Sequence, residues 1–183
     1  MKAIYILYNP DKDDESGVLP GLTEYIHSHG GQSKCMDCYS FSALTKQQVS
    51  DVLSGCECVI VLGGDGTLIR AAGVASEKDI PLLGVNLGHL GYLCELEEHN
   101  VCAAIEEIMN GHYMIEERMM LSGSPVIQTE GEKLSQKALN DIVICRKGAL
   151  QLVELTVSVN GEYLSTYLSL IHISEPTRPR LIS

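Results

Sequence analysis

Residues 57–72, ECVIVLGGDGTLIRAA, constrain the fold of this 183-residue chain more than any other stretch. The run Cys58-Val59-Ile60-Val61-Leu62 is apolar and largely β-branched, which suits a strand buried on both faces. Gly63-Gly64-Asp65-Gly66-Thr67 breaks it, and Leu68-Ile69-Arg70-Ala71-Ala72 resumes with helix-forming residues. A buried strand, a tight glycine-rich turn and a helix make a unit that suits a parallel α/β sheet. The turn sets one carboxylate, Asp65, at the carboxyl end of the strand, where open α/β sheets bind ligands.

The preceding and following segments extend that unit. Residues 3–8 read as a first strand closed by Asn9-Pro10, and the acidic residues 11–17 as a loop or helix start. Val18, Leu22, Tyr25 and Ile26 fall at helical spacing before Gly30-Gly31, residues 33–39 form a weaker strand, and 44–53 a short helix. Residues 81–86 are the next strand. They lead into a second glycine-rich segment, Leu87-Gly88-His89-Leu90-Gly91-Tyr92-Leu93, and an amphipathic helix over 97–110. The order β-α-β-α-β-α-β-α predicts a parallel-sheet α/β domain over residues 1–112.

After Tyr113 the pattern becomes strand-rich, with strands expected over 115–122, 125–129, 138–145 and 152–159. Val153, Leu155, Val157 and Val159 alternate with polar residues, and Asn160-Gly161 predicts a hairpin returning over 162–167. Residues 113–167 are therefore expected to be the start of an incomplete all-β domain. The segment LSLIHISEPTRPRLIS, residues 168–183, resembles translated sequencing-library adapter. It is expected to be a non-native tail; the competing reading is one more strand over 168–174 followed by a disordered end.

Composition narrows the partners. A net charge of −11 argues against a general binder of nucleic acid or anionic membrane, which needs a basic face. No apolar run reaches the roughly 20 residues that span a bilayer, and the N-terminus lacks signal-peptide character, so a cytoplasmic protein is expected. Seven cysteines, an odd number, argue for reduced thiols. The Cys35–Cys38 pair has no second pair to complete a metal site, and no protein metal ligands are expected.

Asp65 has a plain reading as a turn or N-cap residue of the following helix. Against it stand the flanking glycines, which open the backbone to a ligand, and the helix start, which suits phosphate. Such a carboxylate could accept a proton from an attacking hydroxyl or help to place a metal. No Walker-type phosphate loop and no G-x-G-x-x-G fingerprint is present. Asn140-Asp141 interrupts an apolar run, either as a bulge or strand end or as an amide and carboxylate offered to a ligand.

Gly63-Gly64-Asp65-Gly66-Thr67, the segment 86–93 and Leu139-Asn140-Asp141-Ile142-Val143-Ile144 occur in the order and approximate spacing of the NAD kinases. The chain resembles that family over roughly residues 1–167. The resemblance implies transfer of a phosphoryl group from ATP, or from polyphosphate, to the 2′-hydroxyl of the adenosine ribose of NAD. It makes Asp65 the catalytic proton acceptor. It puts Gly64, Gly66, Thr67, Arg70, Asn86, Asn140, Asp141 and Gln151 in the cofactor-binding set, Gln151 standing where many members are basic. It implies a divalent metal, commonly Mg²⁺, small-molecule partners only, and a homo-oligomer for the full-length protein.

The chain departs from the family after the hairpin: Leu170 stands near where an Asp is expected, and the following glycine loop is absent. Little or no activity is therefore expected of this chain alone. GGDG is shared with lipid and sugar kinases, which are the enzyme alternative. A non-catalytic dinucleotide-binding fragment is the other.

Overall fold

The computed structural model describes residues 2–88, 91–124, 136–144, 154–168 and 171–174. The chain divides into two compact units, Met1–Glu117 and Arg118–Ser183.

In the first unit four strands, β1 (Ala3–Tyr8), β2 (Gln32–Asp37), β3 (Cys58–Gly63) and β4 (Leu82–Asn86), lie parallel, and the two-residue β5 (Leu96–Glu97) closes the edge. Their order is β2-β1-β3-β4-β5. Every residue of β3 is buried, as a strand covered on both faces requires. Its alternating side chains enter two cores. Ile4, Ile6, Ile60, Leu62 and Val85 meet Leu22 and Ile26 of α2 (Val18–Ser28) and Val101, Ile105 and Ile108 of α6 (Val101–Asn110). Tyr5, Leu7, Val59 and Val61 meet Phe41 of α3 (Cys38–Ser42), Val49 of α4 (Lys46–Val52), and Leu68 and Ala71 of α5 (Asp65–Ala75). The result is a three-layer α/β/α sandwich.

Strand order reverses at β1, whose neighbours β2 and β3 lie on opposite sides. The crevice between the carboxyl ends of β1 and β3 is thus the topological switch point, the ligand position of open α/β sheets. Asn9 lines it: its N–H donates to the Leu62 carbonyl at 2.8 Å, and its side chain caps α1 (Pro10–Ser16) by accepting from the Asp11 N–H. Asn9 as cap and Pro10 in the first turn are strong helix-start signals, so the acidic segment is a helix and not a loop.

Three expected elements shift. The second strand stops at Asp37, because that carboxylate accepts the N–H groups of Tyr39 and Ser40 and starts α3, a helix the apolar pattern hides. The helix expected from residue 97 begins as a 3-10 turn, Glu98–Asn100, because Leu96 and Glu97 pair with β4. Residues 115–120 form no strand. Pairing starts only at β6 (Leu121–Gly123), which lies antiparallel to β7 (Gln136–Ala138).

The second unit is antiparallel. The strand expected over 138–145 is broken at Leu139-Asn140, which separates β7 from β8 (Asp141–Ile144). β9 (Glu154–Val159) and β10 (Glu162–Leu168) form the expected hairpin, with both turn residues at positive φ, Asn160 at 54° and Gly161 at 87°. β11 (Ile171–Ser174) pairs antiparallel with β8, so the strand reading of that segment holds in part. The strand expected over 125–129 lies outside the described residues.

Candidate functional site

The site is built where β3 and β4 end. β3 runs into Gly63 and Gly64, and α5 begins at Asp65. The helix cap is Gly64, without any side-chain capping bond. The reading of Asp65 as an N-cap is therefore corrected: its carboxylate leaves the helix and grips another loop. Oδ2 accepts the Tyr92 N–H at 2.8 Å, and Oδ1 the Leu93 N–H at 3.1 Å. Burial would push this carboxyl up. The Tyr92, Leu93 and Cys94 N–H groups and the Cys94 thiol outweigh it and hold Asp65 below the usual carboxylate range.

Three glycines shape the turn by what they leave out. A Cβ on Gly91 would overlap the Asp65 carboxylate, with its Cγ 2.6 Å away, so residue 91 must be glycine for the clamp to close. A Cβ on Gly63 would stand 2.7 Å from Thr67 Oγ1, so the first turn of α5 packs directly on the strand end. A Cβ on Gly64 would stand 2.9 Å from the Lys12 ammonium. Gly66 is exposed, with open space beside it.

Asn86 ends β4, buried, and its amide donates to the Gly88 carbonyl at 3.2 Å. The Leu87 N–H donates to the Gly63 carbonyl at 2.7 Å, which ties the two glycine-rich segments together. Gly64, Asp65, Gly66, Thr67 and Asn86 are thus gathered at one rim of the sheet. Arg70 lies one turn on, exposed, and acts electrostatically on Cys38 and Tyr39 at the start of α3. Tyr39 in turn donates its hydroxyl to Asp11 Oδ2. Asn140, at the bend before β8, and Asp141, the first residue of that strand, belong to the second unit and are half-buried, with the Asn140 amide 3.4 Å from Asp141 Oδ1. Gln151, His89 and Leu90 lie outside the described residues.

Sequence reading missed two participants. Lys12 stands in an acidic run, PDKDDES, that suggests a solvated surface, yet its ammonium lies over Gly64. Cys94 is buried under the clamp, and burial together with the Asp65 charge pushes its thiol up to about 11. It is a weak donor to Asp65 and not a nucleophile.

No three His, Cys, Asp or Glu side chains among the described residues converge.

The ATP-NAD kinase N-terminal domain matches residues 14–113. The NAD kinase of Agathobacter rectalis is 44% identical over 168 residues, 91% of this chain and 58% of the relative. That of Lachnospira eligens is 41% identical over 170 residues, with the same coverage of 91% and 58%. The chain thus spans less than two thirds of the length of these relatives. Among solved structures, yeast NADH kinase complexed with NADH superposes with a TM-score of 0.77 at 17% identity, over 95% of this chain and 57% of the yeast chain. That likeness is one of fold.

Proposed function

The chain belongs to the NAD kinase family, and from that premise we propose that the whole protein transfers a phosphoryl group from ATP, or polyphosphate, to the 2′-hydroxyl of the adenosine ribose of NAD. The observation that carries the reading is the Asp65 clamp. A carboxylate at the rim of a buried strand is fixed in place by the N–H groups of Tyr92 and Leu93. Phosphoryl transfer asks little covalent chemistry of a protein; positioning and charge stabilisation do most of the work. A carboxylate has about four lone-pair sites, so one that accepts two backbone bonds retains capacity for a substrate hydroxyl.

Asp65 is held below the usual carboxylate range, which makes it a weak base at neutral pH. Its role is to orient the ribose hydroxyl and to take its proton late, as bonding to phosphorus develops. Gly64 and Gly66 let the substrate approach the backbone, and Thr67 and Asn86 hold the turn. Asn140, Asp141 and Gln151 are proposed as further dinucleotide contacts, and Arg70 as a flanking one. The divalent ion that the family reading calls for arrives with the phosphates of ATP, as part of that substrate. A cytoplasmic location and assembly as a homo-oligomer complete the proposal. No described helix is long and apolar enough to cross a membrane.

Acceptor competition tests the reading. Radiolabelled ATP is supplied with NAD, diacylglycerol and a sphingoid base together, and the labelled products are separated. Label in NADP alone is expected. Label in a lipid, with none in NADP, would favour a lipid kinase that shares the glycine-rich turn.

A further inference from the structure

Lys12 is the feature of the first unit that the clamp at Asp65 does not explain. It is set by α1, which Asn9 caps at the β1 end of the switch-point crevice. Four of its neighbours in the run PDKDDES are acidic, and a lysine there would ordinarily pair with one of them. Two of the acids are engaged elsewhere. Asp11 Oδ2 accepts the Tyr39 hydroxyl, and Asp13 Oδ1 accepts the Leu19 N–H at 3.0 Å. Among the described side chains the ion pairs are Lys46–Glu77, Glu97–His99 and Glu107–His112, and Lys12 is in none of them.

The ammonium reaches across the crevice. It lies 2.9 Å from where a Cβ of residue 64 would stand and 3.8 Å from that of residue 88. Those glycines open the two segments that follow β3 and β4. Gly88 has a φ of +125°, a conformation that side-chain-bearing residues avoid. A side chain at position 64 would occupy the space of the ammonium, so the glycine keeps the floor beneath Lys12 bare. Cys94, under the Asp65 clamp, feels both Lys12 and Asp65, which places the cation in the electrostatic neighbourhood of the carboxylate. A flexible ammonium over bare backbone, at the switch point of a parallel sheet, fits an oligophosphate, whose oxygens approach closely and whose charge the cation offsets.

We propose that Lys12 is the phosphate-binding cation of the β1/β3 crevice and holds the oligophosphate chain of a nucleotide substrate over Gly64 and Gly88. This rests on the phosphoryl-transfer reading above. The chemistry is common to the triphosphate of ATP and the pyrophosphate of NAD, and titration separates them.

The 183-residue protein, its Lys12→Met variant and its Lys12→Arg variant are titrated by calorimetry with inorganic tripolyphosphate, ATP and NAD at fixed low salt. Loss of one charge-assisted contact weakens binding roughly tenfold to a hundredfold. Lys12→Met is expected to lose that much for tripolyphosphate and ATP, with Lys12→Arg restoring most of it and the far-UV spectrum and melting temperature unchanged. The same loss confined to NAD would also support Lys12 as the cation and would assign it to the dinucleotide. No tripolyphosphate, ATP or NAD binding by the unmodified protein, or equal binding by Lys12→Met, overturns the proposal. Its failure is separable from that of the kinase reading. Binding through Lys12 in the 183-residue protein, with no NADP formed by the whole protein, sinks only the kinase reading. NADP formation at the same rate in the whole protein carrying Lys12→Met sinks only this one.

Discussion

Replacing Gly91 by alanine tests whether the Asp65 clamp organises the site. The added methyl would overlap the carboxylate, whose Cγ would lie 2.6 Å away. Asp65 must then withdraw from the Tyr92 and Leu93 N–H groups. Hydrogen bonds to a charged acceptor contribute about 1.5–3 kcal/mol each when well shielded. Asp65 is only half-buried, and the loop can detach from the turn without unfolding the sheet. A total cost of about 2 kcal/mol is therefore expected. Any backbone cost of alanine at residue 91 is common to both backgrounds of a double-mutant cycle. The double-mutant cycle with Asp65→Ala isolates the clash. In the Asp65→Ala background the Gly91→Ala change should be neutral or stabilising by about 0.5 kcal/mol, since alanine restricts the unfolded chain. The chain has no tryptophan, so urea unfolding is followed by far-UV circular dichroism. An equal cost of Gly91→Ala in both backgrounds would refute the clamp as the reason for the glycine.

Three further outcomes follow from the same geometry. Asp37 is held below its ordinary value by the Ser40 side chain and then by backbone N–H groups, and Glu57 and Asp65 are held below theirs by backbone N–H groups. Their contribution is therefore complete above the unfolded carboxylate range, near pH 4, and is lost as pH falls through their lower folded values; the urea midpoint should drop below about pH 4 and drop less in Asp65→Asn. Gly63→Ala places a methyl against Thr67 in a buried turn and should cost about 1–3 kcal/mol by overpacking, read from the urea midpoint. Ile60, fully buried at the centre of β3, should cost about 2–5 kcal/mol when cut to alanine, enough to show as a large fall in melting temperature.

The parallel unit was legible because its central strands β1 and β3 are buried on both faces, so the apolar runs at 3–8 and 58–62 carry the signal without ambiguity. The elements that escaped are those set by single hydrogen-bonding side chains. Asp37 turns a strand end into a helix start, and a two-residue pairing with β4 delays α6. Residues 115–120 have strand-like composition, but a strand needs a partner, and composition does not say where one lies. At the site, the two glycine-rich segments at 63–67 and 86–93 stood out in the sequence, and the Leu87–Gly63 and Tyr92–Asp65 bonds join them. What Asp65 touches was hidden, because its partners lie 27 and 28 residues away along the chain. Lys12 was hidden for the opposite reason: its acidic neighbours offered an explanation so ordinary that its reach across the crevice left no trace in the sequence.

The most direct test of the central claim follows phosphate from ATP onto NAD in the whole protein and locates it on the product. The account predicts label on the 2′-position of the adenosine ribose, with turnover lowered at least about a hundredfold in a folded Asp65→Asn variant, in the range typical for loss of a positioned acid–base group. Label elsewhere, or turnover unchanged by Asp65→Asn, would contradict it.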